Sequence, residues 1–245
     1  MKTVLQNILR RKRDYARLPF FEHLRDTRLG ARERLAFYPA MANFIMDFGD
    51  FNRHVLRDDE STDPYQQMIN AHSREDDHHW PWYLEDYVKL GFDDQAATPT
   101  QIMRRLWGDD VACNRMLSHR LAHLVWGAAP PVRLAVVEAI EETGQVLFSC
   151  TAALATQMQA ELGVELRYLG EFHFARESGH AMNNDHAELA AIELEPAARQ
   201  DALERVDAVF ALFGDWTAEL LRYARAAASR SEADVEFVFE STTSR

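Results

Sequence analysis

The chain has 245 residues, 47% of them hydrophobic and 27% charged, which is enough apolar material to build the core of one large domain or two small ones. Its formal net charge of −12 argues against a general nucleic-acid binder, which normally carries a basic stripe. Two cysteines, Cys113 and Cys150, sit in apolar-rich surroundings; they are too few for a disulfide framework, and a reducing cytoplasm is the expected setting.

The N-terminal stretch "MKTVLQNILRRKRDYARL" is basic and amphipathic but lacks the apolar centre and cleavage site of a secretory signal. It reads as a first helix that frays, ahead of a membrane-surface role. No apolar run reaches the roughly 18 residues needed to cross a bilayer, so stable membrane insertion is not expected. Residues 32–56 space their apolar side chains at three and four, the mark of a buried helix face. "DESTDPY" (59–65) is a turn, and Pro64 suits the first turn of a helix running to about residue 90 and capped by Gly91. Pro81 lies inside that helix and should kink it. A further helix follows "ATPTQ" (97–101) and ends near "WGAAPP" (126–131), where Pro130 and Pro131 open a long helix through 132–163. The next segment is helical around 170–181, breaks near "NND" and resumes; Pro196 then opens a last long helix over 197–229. The tail "EADVEFVFESTTSR" alternates as a strand does but is too short to found a sheet. With no Gly/Ser linker and no shift in composition, the economical reading is one all-α domain of about seven or eight helices over 1–245. Its core spans about 30–229, with the N-terminal segment and the tail peripheral.

Two stretches carry chemistry. "HSREDDHHW" (72–80) and "HFARESGH" (173–180) both contain His-x3-acid-x2-His: His72, Asp76, His79 and His173, Glu177, His180. On a helix these positions share a face, and imidazole with carboxylate is a usual ligand set for iron, manganese or zinc. Two acid-x2-His units on two helices, with carboxylates from others, is how di-iron sites are built in helical bundles. From i to i+7 a helix rises about 10 Å, a long reach for one ion and an easier one for two metals about 3.5–4 Å apart. Bridging carboxylates are offered by Glu138, Glu141 and Glu142 in "VVEAIEETG", of which Glu142 is the preferred candidate.

The competing reading of these motifs is a solvated charged face. Four of only ten histidines occupy the matching positions, and Trp80, Trp82, Tyr83, Phe172 and Phe174 beside them point to burial, where unpaired charge is costly. Glu75 could replace Asp76 as the ligand; Asp77 and His78 should point away. Asp185 and His186 lie past the expected break. His119 and His123 share a helix face without an acid and read as core or interface histidines, and Cys150 reads as a small core residue.

With these motifs in view, the sequence resembles the heme-oxygenase-like superfamily, in its non-heme di-iron oxidase and oxygenase branch. "HFARESGH" matches that branch's late His-x3-acid-x2-His ligand run, with Glu177 in place of the more usual aspartate. "HSREDDHHWPWYLEDYVKLG" matches its early ligand helix in His79, the aromatic run and Leu90-Gly91, whereas His72 occupies the place of an early glutamate. The resemblance covers residues 30–228 in helix order, its specific content being the two motifs. It implies a seven-helix fold, two Fe(II) per chain, O2 as cosubstrate, a bridging glutamate at 138 or 142, oxidation of a small organic substrate within a biosynthetic pathway, and a homodimer as a reasonable assembly. The donor types leave manganese and zinc open. Two other functions fit the scaffold: a metal-free enzyme resembling thiaminase II or pyrroloquinoline-quinone synthase, and a non-catalytic helical protein that binds a ligand or stores metal. A thiaminase-type activity needs an active cysteine near acids, and neither cysteine has clearly suitable neighbours.

Overall fold

Among the described residues five helices begin on a proline, whose fixed φ and missing N–H suit a first helical turn. The computed structural model describes the backbone of residues 1–94, 97–180 and 186–242, and their side chains except at 94, 177–180, 186 and 229–242. Its α-helices are α1 (Lys2–Tyr15), α2 (Pro19–Arg25), α3 (Ala31–Arg34), α4 (Ala42–Phe51), α5 (Pro64–Asp76), α6 (Trp80–Lys89), α7 (Pro99–Leu106), α8 (Ala112–Val125), α9 (Pro130–Leu162), α10 (Glu171–His180), α11 (His186–Ala191) and α12 (Pro196–Thr242). No strand occurs among the described residues. The result is an all-α, multi-helix single-domain bundle, cut into more and shorter pieces than the seven or eight expected.

The core is organised around α9, which is buried on nearly all sides from Val132 to Met158, as a helix at the centre of a bundle must be. Gly163 ends it in the left-handed conformation, φ 69°, which a side chain would resist. Around α9 pack α12, α10, α1, α5 and α2. Trp216 of α12 is fully buried edge-on against Phe44 and Phe213. The N-terminal helix does not fray: Val4, Leu5, Ile8 and Tyr15 are buried, and Arg11 forms a two-pronged pair with Asp207 of α12 at 2.7 and 2.6 Å. The tail is helical to Thr242, with no strand alternation realised.

Pro81 does more than kink its helix. Lacking an N–H and pressing its ring toward the carbonyl four residues back, it removes the bond that would join Asp77 to the next turn. The chain then stops at Asp76 and restarts at Trp80. The three-residue break is held from outside: Arg53 and Arg57 both bond the buried Asp77 carboxylate, at 3.1 and 2.7 Å. The expected helix over 97–126 likewise divides, at Trp107-Gly108.

The register of α5 on α9 is set by a polar network. Arg133 of α9 donates to Gln66 Oε1 at 2.8 Å and to the carbonyls of Val55 and Leu56. Gln66 in turn donates to Asn70 Oδ1, and Asn70 clamps the backbone of Asp58 in both directions. Asp63 caps α5 through the N–H groups of Tyr65 and Gln66. These bonds leave His72 and Asp76 facing the middle of α9.

Close packing fixes the break as well. A Cβ added at Gly49 of α4 would lie 3.0 Å from the carbonyl oxygen of Asp77 and 3.6 Å from Trp80 Cδ1, and backbone cannot swing aside as a side chain can. Gly49→Ala is therefore expected to lower stability by about 1–3 kcal/mol, read as a lower urea midpoint with an unchanged slope.

Candidate metal centre

The last turn of α5 presents His72 and Asp76 to Glu141 of α9. His72 Nε2 lies 3.0 Å from Asp76 Oδ2 and 3.1 Å from Glu141 Oε1. Ligand atoms of all three fall within 4.8 Å of one another, close enough to take one ion. Asp76 and Glu141 are buried. Burial alone would lower the His72 pKa, but the Asp76 and Glu141 carboxylates overcome it and hold the imidazolium well above its ordinary range. In the metal-free protein a proton on Nε2 thus takes the place a cation would occupy between the two acids.

A second layer of charge lies beside the triad. Glu142 pairs with Lys12 of α1, which also bonds Gln145. Glu138 is 3% exposed, and its Oε2 has no hydrogen-bond partner among the described residues. Burial, and then the nearby Glu142 carboxylate, push the Glu138 carboxyl up to about 7, against the pull of His72 and Lys12. Lys12 falls on the apolar stripe of α1 with Leu5, Ile8 and Tyr15, a cation at a position whose spacing points to the core.

Past the helix break, His79 meets the second motif. His79 Nδ1 is 3.1 Å from His173 Nε2 and 4.0 Å from Asp76 Oδ1. His173 Nδ1 is 2.8 Å from the carbonyl oxygen of Tyr168. A carbonyl only accepts, so Nδ1 carries the proton and Nε2 keeps the lone pair. The His79 ring stacks on Trp82, centroids 4.6 Å apart, and His173 packs on Phe148 at 4.1 Å.

Asp76, His79, Glu141 and His173 line a cavity of about 60 Å³ whose wall is otherwise mostly apolar, including Phe44, Phe48, Leu147, Phe148, Phe213 and Trp216. The space is narrow, on the scale of a few water molecules. Thr143 and Tyr168 also contribute to its lining.

The expected ligands are thus distributed unevenly. His72 and Asp76 join the triad, Asp76 rather than the exposed Glu75 facing inward. His79 and His173 pair beside it. Glu141 supplies the α9 carboxylate of the triad, whereas Glu142 is engaged by Lys12. Glu177 and His180 lie on α10, but their side chains fall outside the described residues, as do those of Asp185 and His186. His119 and His123 are exposed on α8, and both cysteines are partly buried and free. His78 is exposed and Asp77 is turned to Arg53 and Arg57, both away from the triad.

No family model matches the chain, and no curated protein matches its sequence. No helix among the described residues is long and apolar enough to cross a membrane.

The Glu138 shift has a signed consequence. A carboxyl whose folded pKa is raised from 4.5 to about 7 binds its proton more tightly when folded. Its stabilising share is full below about 4.5 and is lost as pH rises through 7. In metal-free protein Glu138→Gln is expected to gain on wild type by up to about 3 kcal/mol between pH 4.5 and pH 8. Paired urea unfolding curves at the two pH values, with chelator present, measure it.

Proposed function

We propose that this protein is a metal-dependent oxidase or oxygenase that activates O2 to oxidise a small organic substrate. The observation that carries the reading is the triad of His72, Asp76 and Glu141, whose two acids are buried and line a largely apolar cavity. Nitrogen and oxygen donors without sulfur suit iron, manganese or zinc, and one neutral imidazole with two carboxylates balances a divalent ion. A carboxyl oxygen buried without a partner at Glu138 adds to the local demand for positive charge. His72, Asp76 and Glu141 would hold one metal; His79 and His173, with Glu177 and His180, would hold a second. The resemblance to heme-oxygenase-like di-iron enzymes favours two Fe(II), and such iron supplies the electrons that reduce O2.

The chain's own residues do the rest. The triad uses three donors, which leaves positions on an ion for O2 or substrate. Apolar walls shield the donors, and the space of about 60 Å³ between them fits a molecule the size of O2; an organic substrate would need those walls to part. The Tyr168 carbonyl keeps the His173 proton on Nδ1, and outer partners of this kind orient a ligand imidazole and raise its basicity.

The test is anaerobic Fe(II) loading of purified apoprotein, with iron counted per chain and O2 uptake followed after air is admitted. About two irons per chain and rapid O2 consumption support the reading. His72→Ala and Glu141→Gln should each lower the count by about one while the far-ultraviolet circular dichroism stays helical. A folded wild-type chain that binds no metal overturns it; one tightly bound metal per chain restricts the site to the triad; metal without O2 uptake favours storage.

A further inference from the structure

Outside the candidate ligands, one buried acid has a set of partners that reaches the site. Asp86 of α6 is fully buried, and its carboxylate is met by backbone rather than by a side-chain hydrogen-bond donor. Its carboxylate accepts three consecutive backbone N–H groups: Arg167 at 2.7 Å, Tyr168 at 2.8 Å and Leu169 at 3.0 Å. These residues form the turn that leads into α10. An ionised carboxylate is the side chain that satisfies three such donors at once, since it offers acceptor sites only. The turn so held puts the Tyr168 carbonyl oxygen 2.8 Å from His173 Nδ1. The Tyr168 ring is clamped too, packing on Tyr83 at 5.7 Å and on Phe148 at 5.5 Å.

We propose that Asp86 is a positioning residue for the metal site: through the 167–169 turn it aims the Tyr168 carbonyl at His173 and fixes that histidine with its proton on Nδ1 and its lone pair on Nε2. The inference deepens the metal-centre reading and rests on it for its purpose, but the tautomer itself is a property of the metal-free chain. The geometry runs in one direction. Asp86 touches backbone and never the imidazole, so a change at Asp86 acts on His173 through the carbonyl of another residue. Trp82 and Asp86 lie on the same helix, α6, four residues apart, so the element that stacks on His79 also sets the tautomer of His173. In this way one helix orients both histidines of the pair.

A purely structural acid would contribute stability and leave the imidazole unchanged, and that difference defines the experiment. Apoprotein labelled with 15N-histidine is examined at about pH 8, above the ordinary histidine range, by long-range nitrogen–proton correlation, with His173 assigned by its loss in His173→Gln. Wild type is expected to show a single tautomer with the proton on Nδ1. Asp86→Asn, which sets an amide N–H against the backbone donors, is expected to show a mixture of tautomers and a 10- to 100-fold weaker hold on the metal bound at His173, the usual loss for an outer partner. Asp86→Ser, smaller and without the opposing amide, serves if the asparagine variant does not fold. Asp86→Glu keeps the charge and should restore the Nδ1 tautomer in part. Wild-type protein with the proton on Nε2, or a folded neutral variant with an unchanged tautomer, overturns the proposal. A chain that binds no metal while its His173 responds to Asp86 as described leaves the positioning intact and removes only the metal-centre reading.

Discussion

Asp76, Glu138, Glu141 and Glu142 are all withdrawn from water where α1, α5 and α9 converge, and taking carboxylates out of water costs several kcal/mol each unless positive charge meets them. His72 and Lys12 bring that charge in the metal-free chain, one from α5 and one from α1. The rest of the architecture follows from this meeting. Helix α9 can be the central, all-round buried column of the bundle only because helices on two sides carry cations or ligands to its acidic middle. Hydrophobic burial decides that there is a bundle; the acids decide which helices must face one another and at what height.

The second constraint is the interruption between Asp76 and Trp80. An unbroken helix would carry His79 two turns along from His72, about 10 Å away along the axis. Ending α5 at Asp76 lets α6 leave in a new direction, and His79 folds toward His173 while staying within 4.0 Å of Asp76. The break is neither loose nor incidental. Proline prevents the helix from continuing, Arg53 and Arg57 hold Asp77, and the bare backbone of Gly49 allows α4 to close over it.

Much of this was legible in the sequence, for identifiable reasons. Apolar spacing and proline positions marked the all-α class and the starts of α5, α9 and α12, because both act through local sterics. The His-x3-acid-x2-His stretches marked His72, Asp76, His79 and His173 as neighbours of the site, since a polar cluster among aromatics needs an explanation. Which glutamate of α9 meets His72 was not legible: Glu141 and Glu142, both buried, differ by about 100° of helix rotation, and the choice follows from the Arg133–Gln66 network that sets one helix against the other. The break at 77–79 was read as a kink because the clamps on it, Arg53, Arg57 and Gly49, come from a separate stretch of chain. Lys12 and Asp86 carry no motif at all. Their roles exist only in three dimensions, where a lysine from the first helix and an acid from the sixth reach a site whose named ligands lie elsewhere.

The Lys12 contact has a consequence for how the protein is made. Helix α1 emerges before α9 and α12, yet Lys12 meets Gln145 at a separation of 133 residues, and Arg11 beside it meets Asp207 at 196. Contacts that distant in sequence form late, after loop closure has been achieved over most of the chain. During synthesis α1 and its basic face therefore wait, unpartnered, until α9 and then α12 are available. The acidic middle of α9 acquires its lysine only when the bundle closes. Until then those carboxylates stay hydrated, and the cost of burying them arises only as the fold completes.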